Sequence, residues 1–229
     1  MEKPYCDESE EILGALKEGF LKSVTDDLKA IKIRKGTRTD NAKNAITWDL
    51  RYENIALSAE EVGLQPIWIP RGALWELVAV LNENLGYIYF FMNNRTPEQQ
   101  VESLSHYLPN TMRVMNSDLN EEENSTVSLF GSDELNLKNE RKFSEEVCRD
   151  MLGEYYGKIT RAFVIRRDSK TKQVSLLTMN GFLDFIHEEP IPDRELVKPL
   201  PSKNSNINTE ESGKIGITIK KRKKENKNS

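Results

Sequence analysis

The sequence predicts an α+β fold: an antiparallel sheet of about five strands, covered by about four helices, with a disordered basic tail at the C-terminus. Three observations carry this expectation. Residues 74–92, LWELVAVLNENLGYIYFFM, hold two runs dense in Val, Leu, Tyr and Phe, joined by a polar link that ends in Gly86. That is the pattern of a β-hairpin. Apolar residues on either side of it recur at helical spacing. Charge, finally, is segregated between an acidic body and a basic end.

The hairpin belongs at the centre of the sheet. On its first strand Leu74, Glu76, Val78 and Val80 share one face, and Trp75, Leu77, Ala79 and Leu81 the other. On its second strand Tyr87, Tyr89 and Phe91 alternate with Ile88, Phe90 and Met92. Both faces are largely apolar, so both need cover.

Around this centre, residues 9–33 read as one helix capped by Ser9, with Leu13, Leu16, Phe20, Val24, Leu28 and Ile31 in a stripe. Gly36 breaks the chain, and Thr39 or Asp40 can cap a second helix over about 41–57. Ile67, Trp68 and Ile69, between Pro66 and Pro70, suit a short edge strand. After the hairpin, Thr96-Pro97-Glu98-Gln99 is a capping box that opens a helix, with Pro109 interrupting it. Ser144 to Gly157 gives another helix, and Ile159–Arg167, Val174–Met179 and Phe182–His187 three further strands. Asn180-Gly181 marks the last turn.

The 229 residues suit a single α+β domain over 1–200 with a flexible acidic insertion at 117–140, then a disordered linker and basic tail over 201–229. No run approaches the roughly 20 apolar residues of a membrane helix. The acidic start, MEKPYCDESEE, is not a secretory signal. The expected location is the cytoplasm, with no membrane partner. Cys6 and Cys148 stand far apart, which suits a reducing compartment and offers no metal framework.

Chemistry is sparse. There is no phosphate-binding Gly loop, no nucleophile elbow and no zinc-protease helix, so no cofactor is expected and catalytic residues stay unassigned. His106 and His187 have no neighbouring ligand in sequence, which argues against a metal site. Trp48, Asp49 and Arg51, close behind Arg34, Lys35 and Arg38, can contact phosphate, or the arginines can pair with Asp40, Asp49 or Glu53. Glu76, Asp168 and Lys170 are the carboxylates and lysine that metal-dependent nuclease chemistry would need. Asp168-Ser169-Lys170 also reads as an ordinary turn.

The basic end is the best-defined feature. From Lys214 onward seven basic residues stand against one acidic, +6, which leaves −10 on the rest of a chain of net charge −4. Lys220, Lys221, Arg222, Lys223 and Lys224 run unbroken and would attract nucleic acid through counterion release. Ile215, Ile217 and Ile219 alternate before them and could add as a strand, in this chain or in a protein partner.

The segments NAKNAITWDLRYENI, WELVAVLNENLGYIYFF, HYLPNTMRVMN and SLF, together most of residues 40–131, resemble a group of uncharacterised proteins of low-GC Gram-positive bacteria and their phages. The resemblance implies a bacterial or phage cytosolic origin and assigns no functional residue. The sequence therefore points to an intracellular binding or regulatory protein, of a phage or mobile element, with a weak, non-specific nucleic-acid-binding tail. The alternative is a metal-dependent nuclease or related enzyme using carboxylates on the sheet. The oligomeric state is left open.

Overall fold

The computed structural model describes residues 6–35, 42–70, 76–93, 107–119, 132–168, 170–181 and 184–194. The capping box at 96–99, His106, the SLF island and the tail with Lys220–Lys224 lie outside the described residues.

The first helix, α1 (Glu10–Leu21), starts as expected: Ser9 Oγ accepts the Ile12 amide at 3.3 Å, with Glu10 and Glu11 in the first turn. The single helix expected over 9–33 is instead two. Lys22 turns to ψ 132°, and α2 (Thr25–Lys35) begins after Ser23 Oγ accepts the Thr25 amide at 3.4 Å. A serine that bonds the backbone ahead of it offers the chain an alternative to continuing the helix. Burial falls off past the break, where Ile33 is 81% exposed. Next comes α3 (Lys43–Glu61), which crosses α1 at backbone contact. A Cβ on Gly19 would lie 2.6 Å from Ser58 Oγ and 2.8 Å from the Asn54 carbonyl.

Six strands form one sheet in sequence order: β1 (Gln65–Pro70), β2 (Glu76–Asn82), β3 (Tyr87–Asn93), β4 (Arg161–Arg167), β5 (Val174–Met179) and β6 (Phe185–Pro190). The β2–β3 hairpin forms as the sequence predicts, with Gly86 at φ +71° closing the link. β1 is an edge strand.

The expected antiparallel sheet is corrected to a mixed one, because β3 pairs β4 in parallel from Tyr87↔Arg161 to Asn93↔Arg167. Parallel neighbours need a long crossover. Here it includes α4 (Tyr107–Met115) and α5 (Ser132–Leu152). Pro109 does not interrupt α4, since it falls in the first turn, where a missing N–H costs no helix bond. The end of the expected 117–140 insertion is helical, as α5 begins at Ser132; residues 120–131 lie outside the described residues. The final strand also shifts. Asn180 Oδ1 accepts the Asp184 amide at 2.9 Å in a wider loop than a two-residue turn, so β6 starts at Phe185 rather than Phe182.

Alternation along the strands builds two cores. Leu77, Ala79, Leu81, Ile88, Phe90, Ala162, Val164, Leu177 and Met179 pack with Leu108 and Met112 of α4 and Cys148 and Leu152 of α5. Val78, Val80, Tyr89, Phe91, Phe163, Ile165, Val174 and Leu176 pack with Leu16 and Phe20 of α1 and Ile55 and Ala59 of α3. Helices therefore cover both faces, in a three-layer arrangement.

A buried amide joins the crossover to the sheet. Asn116, just past α4, donates to the carbonyls of Ala162 (2.8 Å) and Met179 (2.7 Å) and accepts the Ala162 amide (2.9 Å). The recorded β4–β5 ladder begins at Val164↔Leu177, so Asn116 bonds the two strands beyond its end. Asn116→Leu would leave those backbone groups buried without partners, at roughly 1–3 kcal/mol each. Denaturant unfolding should show a loss of about 3 kcal/mol or more. An unchanged midpoint would mean that the seam does not hold the strands.

Candidate functional site

The parallel pair sets two strand carboxyl ends side by side. Their last residues, Asn93 and Arg167, are register partners and continue the face of Phe91 and Ile165. That face is covered by α1 and α3. Phe20 of α1 packs edge-on against Phe91, ring centres 5.5 Å apart, and Trp48 of α3 lies 6.2 Å from Phe20. Trp48 in turn has the Arg51 guanidinium 5.4 Å from its ring centre and Tyr52 at 5.2 Å. This chain of contacts runs from Phe91 of β3 through Phe20 of α1 to the half-buried side of α3.

Three features distinguish this place. Arg51 and Arg167 make no ion pair among the described residues, while Asp49 and Glu53, the expected neighbours of Arg51, are exposed on other faces of α3. Burial pulls Arg51 below its ordinary value, and the charge of Arg167, near enough to be felt, pulls it the same way. The Nε of Arg167 and Oδ1 of Asn93 are both buried and have no hydrogen-bond partner among the described residues. Buried polar groups are nearly always satisfied, so a donor and an acceptor unmet side by side call for an explanation.

The residues considered for nuclease chemistry do not form a comparable group. Asp168 Oδ1 accepts the amides of Lys170 (2.7 Å) and Thr171 (2.9 Å), which holds its carboxyl below the usual range. It is a turn-forming side chain between β4 and β5. Glu76 is exposed at the start of β2, two strands from β4, or about 10 Å in the hydrogen-bonding direction. Among the described residues no three or more His, Cys, Asp and Glu side chains gather as metal ligands would. His187 lies on β6, 3.6 Å from Glu189.

At the opposite end of β3, Glu8 accepts from Asn82 Nδ2 (2.6 Å) and Tyr89 Oη (2.9 Å), with Cys6 Sγ 3.9 Å from Tyr89 Oη. Cys148, between α5 and α4, contacts Thr111 Oγ1 at 3.9 Å. Both cysteines are free thiols. Burial pushes each from 9.0 up to about 11.

Sequence reasoning had grouped Trp48 with Arg51 but missed Asn93 and Arg167. The available signal was a polar side chain ending each of two otherwise apolar strands.

A model of a family of unknown function, DUF5986, matches residues 7–229. No curated protein and no solved structure matches the chain. Among the described residues no helix is long and apolar enough to cross a membrane.

The raised thiols give a direct expectation. At pH 8 a thiol near 11 holds about a hundredfold less thiolate than one near 9, so both cysteines should react correspondingly slowly with Ellman's reagent until the chain unfolds. By linkage, the stability tied to these thiols is complete below pH 9.0 and lost as pH climbs toward about 11. A fast phase from either thiol in the folded chain would contradict their placement.

Proposed function

Because the chain belongs to the DUF5986 family, which has no assigned function, we propose from its own residues that it is a cytoplasmic nucleic-acid-associated binding or regulatory protein. In this reading the three-layer body is the scaffold and the basic tail supplies weak, non-specific attraction to nucleic acid. The observation that carries it is the charge segregation: Lys220, Lys221, Arg222, Lys223 and Lys224 in an unbroken run behind an acidic body. Adjacent cations bind polyanions by releasing condensed counterions, and no aromatic residue among them offers stacking or base readout.

The body supports the same reading by where its own cations go. Lys17 pairs with Asp193 (2.9 Å), Lys158 with Glu83 (3.0 Å), Arg161 with Asp118 (2.8 Å), Arg166 with Glu188 (2.6 Å) and Arg194 with Glu61 (2.9 Å). Cations spent in such pairs are poor competitors for backbone phosphates, which leaves the tail as the stronger electrostatic attractor. A role in a phage or mobile element belongs to the same proposal and rests on the likeness of residues 40–131 to phage-borne proteins.

Fluorescence anisotropy with a duplex bearing 5′-hydroxyl ends tests this. The full chain should bind, with log K falling against log salt at a slope of about −4 for about five neutralised phosphates. A chain ending at Ser212 should lose that binding. Equal affinity of the two chains would move the interface into the body, toward Arg34, Lys35 and Arg38. Absence of binding by either at low salt would remove nucleic acid from the proposal.

A further inference from the structure

The carboxyl end of the β3–β4 pair holds a feature that the tail does not explain. In sheets with parallel strands, ligands sit outside the strand carboxyl ends, near the point where the chain crosses over. Asn93 and Arg167 end the two strands there, and Arg51 of α3 lies near enough to feel the charge of Arg167.

We propose that Arg51, Arg167 and Asn93 form a binding site for a phosphate monoester, carried by a nucleotide or by the 5′ end of a nucleic-acid strand. Five other cations of the body are neutralised by carboxylates within 3.0 Å, yet these two, within range of each other's charge, have none among the described residues. Two like charges held together without a counter-ion destabilise the free protein, so a dianion is the natural complement. A phosphate monoester carries up to two charges. A carboxylate carries one and would leave a guanidinium unbalanced.

Hydrogen bonding narrows the ligand further. Arg167 Nε is a buried donor and Asn93 Oδ1 a buried acceptor, on residues adjacent in register, and neither has a partner among the described residues. A phosphate oxygen accepts from Nε, and a hydroxyl on the same ligand, a sugar hydroxyl in a monoester dianion or the P–OH of inorganic hydrogen phosphate, donates to Oδ1. One bridging water would also satisfy both atoms. It would do nothing for the two like charges. Trp48, seated against Phe20, backs the Arg51 guanidinium at 5.4 Å and limits its freedom, as a preorganised anion clamp requires.

The proposed site uses no residue of the basic tail, so its test separates from that of the tail. Isothermal titration of the full chain with inorganic phosphate, at constant ionic strength in chloride, should show one saturable site. Arg51→Gln and Arg167→Gln should each weaken it at least about tenfold, since a charge-assisted hydrogen bond is lost. The chain ending at Ser212 should bind phosphate like the parent.

Two further ligands identify the source of the phosphate. A short single strand with a 5′-phosphate, preferred over its 5′-hydroxyl twin by the parent but not by Arg167→Gln, would assign strand ends. Binding of a nucleoside monophosphate, without any preference between the two strands, would assign a small phosphoester. No saturable binding of phosphate by the parent, or undiminished binding by both Gln variants, would overturn the proposal and leave a bridging water at Asn93 and Arg167.

Discussion

The parallel pairing of β3 with β4 is the constraint on which the rest of this molecule depends. A meander of antiparallel strands could leave one face of its sheet to solvent. One parallel pair removes that freedom, because the chain must leave the end of β3 and return to the start of β4. The route it takes, through α4 and α5, covers one face. The helices that precede the sheet, α1 and α3, cover the other. Both faces of the central strands can then be apolar, which is why Ile88, Tyr89 and Phe90 are consecutive and all essentially buried. The same pairing sets Asn93 beside Arg167.

Burying both faces leaves few places for polar side chains, and those that remain are specific. Asn116 spends its amide on three backbone groups of β4 and β5. Asn110 accepts from Ser144 at 2.8 Å between α4 and α5. Glu8 receives Asn82 and Tyr89 at the hairpin end of the sheet. Each of these is a satisfied network that fixes one arrangement of its elements. Asn93 and Arg167 differ in having buried polar atoms that nothing among the described residues meets. Exceptions to local consistency concentrate at functional sites, which is the physical ground for treating the strand ends as a site.

Much of this was legible in the sequence. Leu77 to Leu81 and Ile88 to Met92 alternate with period two around a Gly-terminated link, and the hairpin forms where that pattern requires. Pro66 and Pro70 confine β1 to an edge. What the sequence hid is non-local. The parallel register of β3 and β4 depends on a crossover of some seventy residues, and no local pattern encodes the direction of return. The break at Lys22–Val24 rests on a Ser23 side-chain bond that competes with a continuous apolar stripe. Trp48 and Arg51 were visible as neighbours on one helix. The nearness of Arg51 to Arg167, more than a hundred positions away, exists only once α3 has packed on the sheet. The basic tail is the reverse case, wholly legible as composition and outside the described residues.

Central to the proposed site is that Arg51 and Arg167 stay within range of each other's charge, against their mutual repulsion, for a ligand rather than for the fold. A double-mutant cycle of unfolding free energies in phosphate-free buffer measures this directly, using Arg51→Gln, Arg167→Gln and the pair. Repulsion predicts that either single change spares the protein the same penalty, so the double change gains less than the two singles together. The coupling should be about 0.5 kcal/mol or more, and repulsive in sign. Additive losses of stability, or an attractive coupling, would show that the two arginines serve the fold and would contradict the central claim.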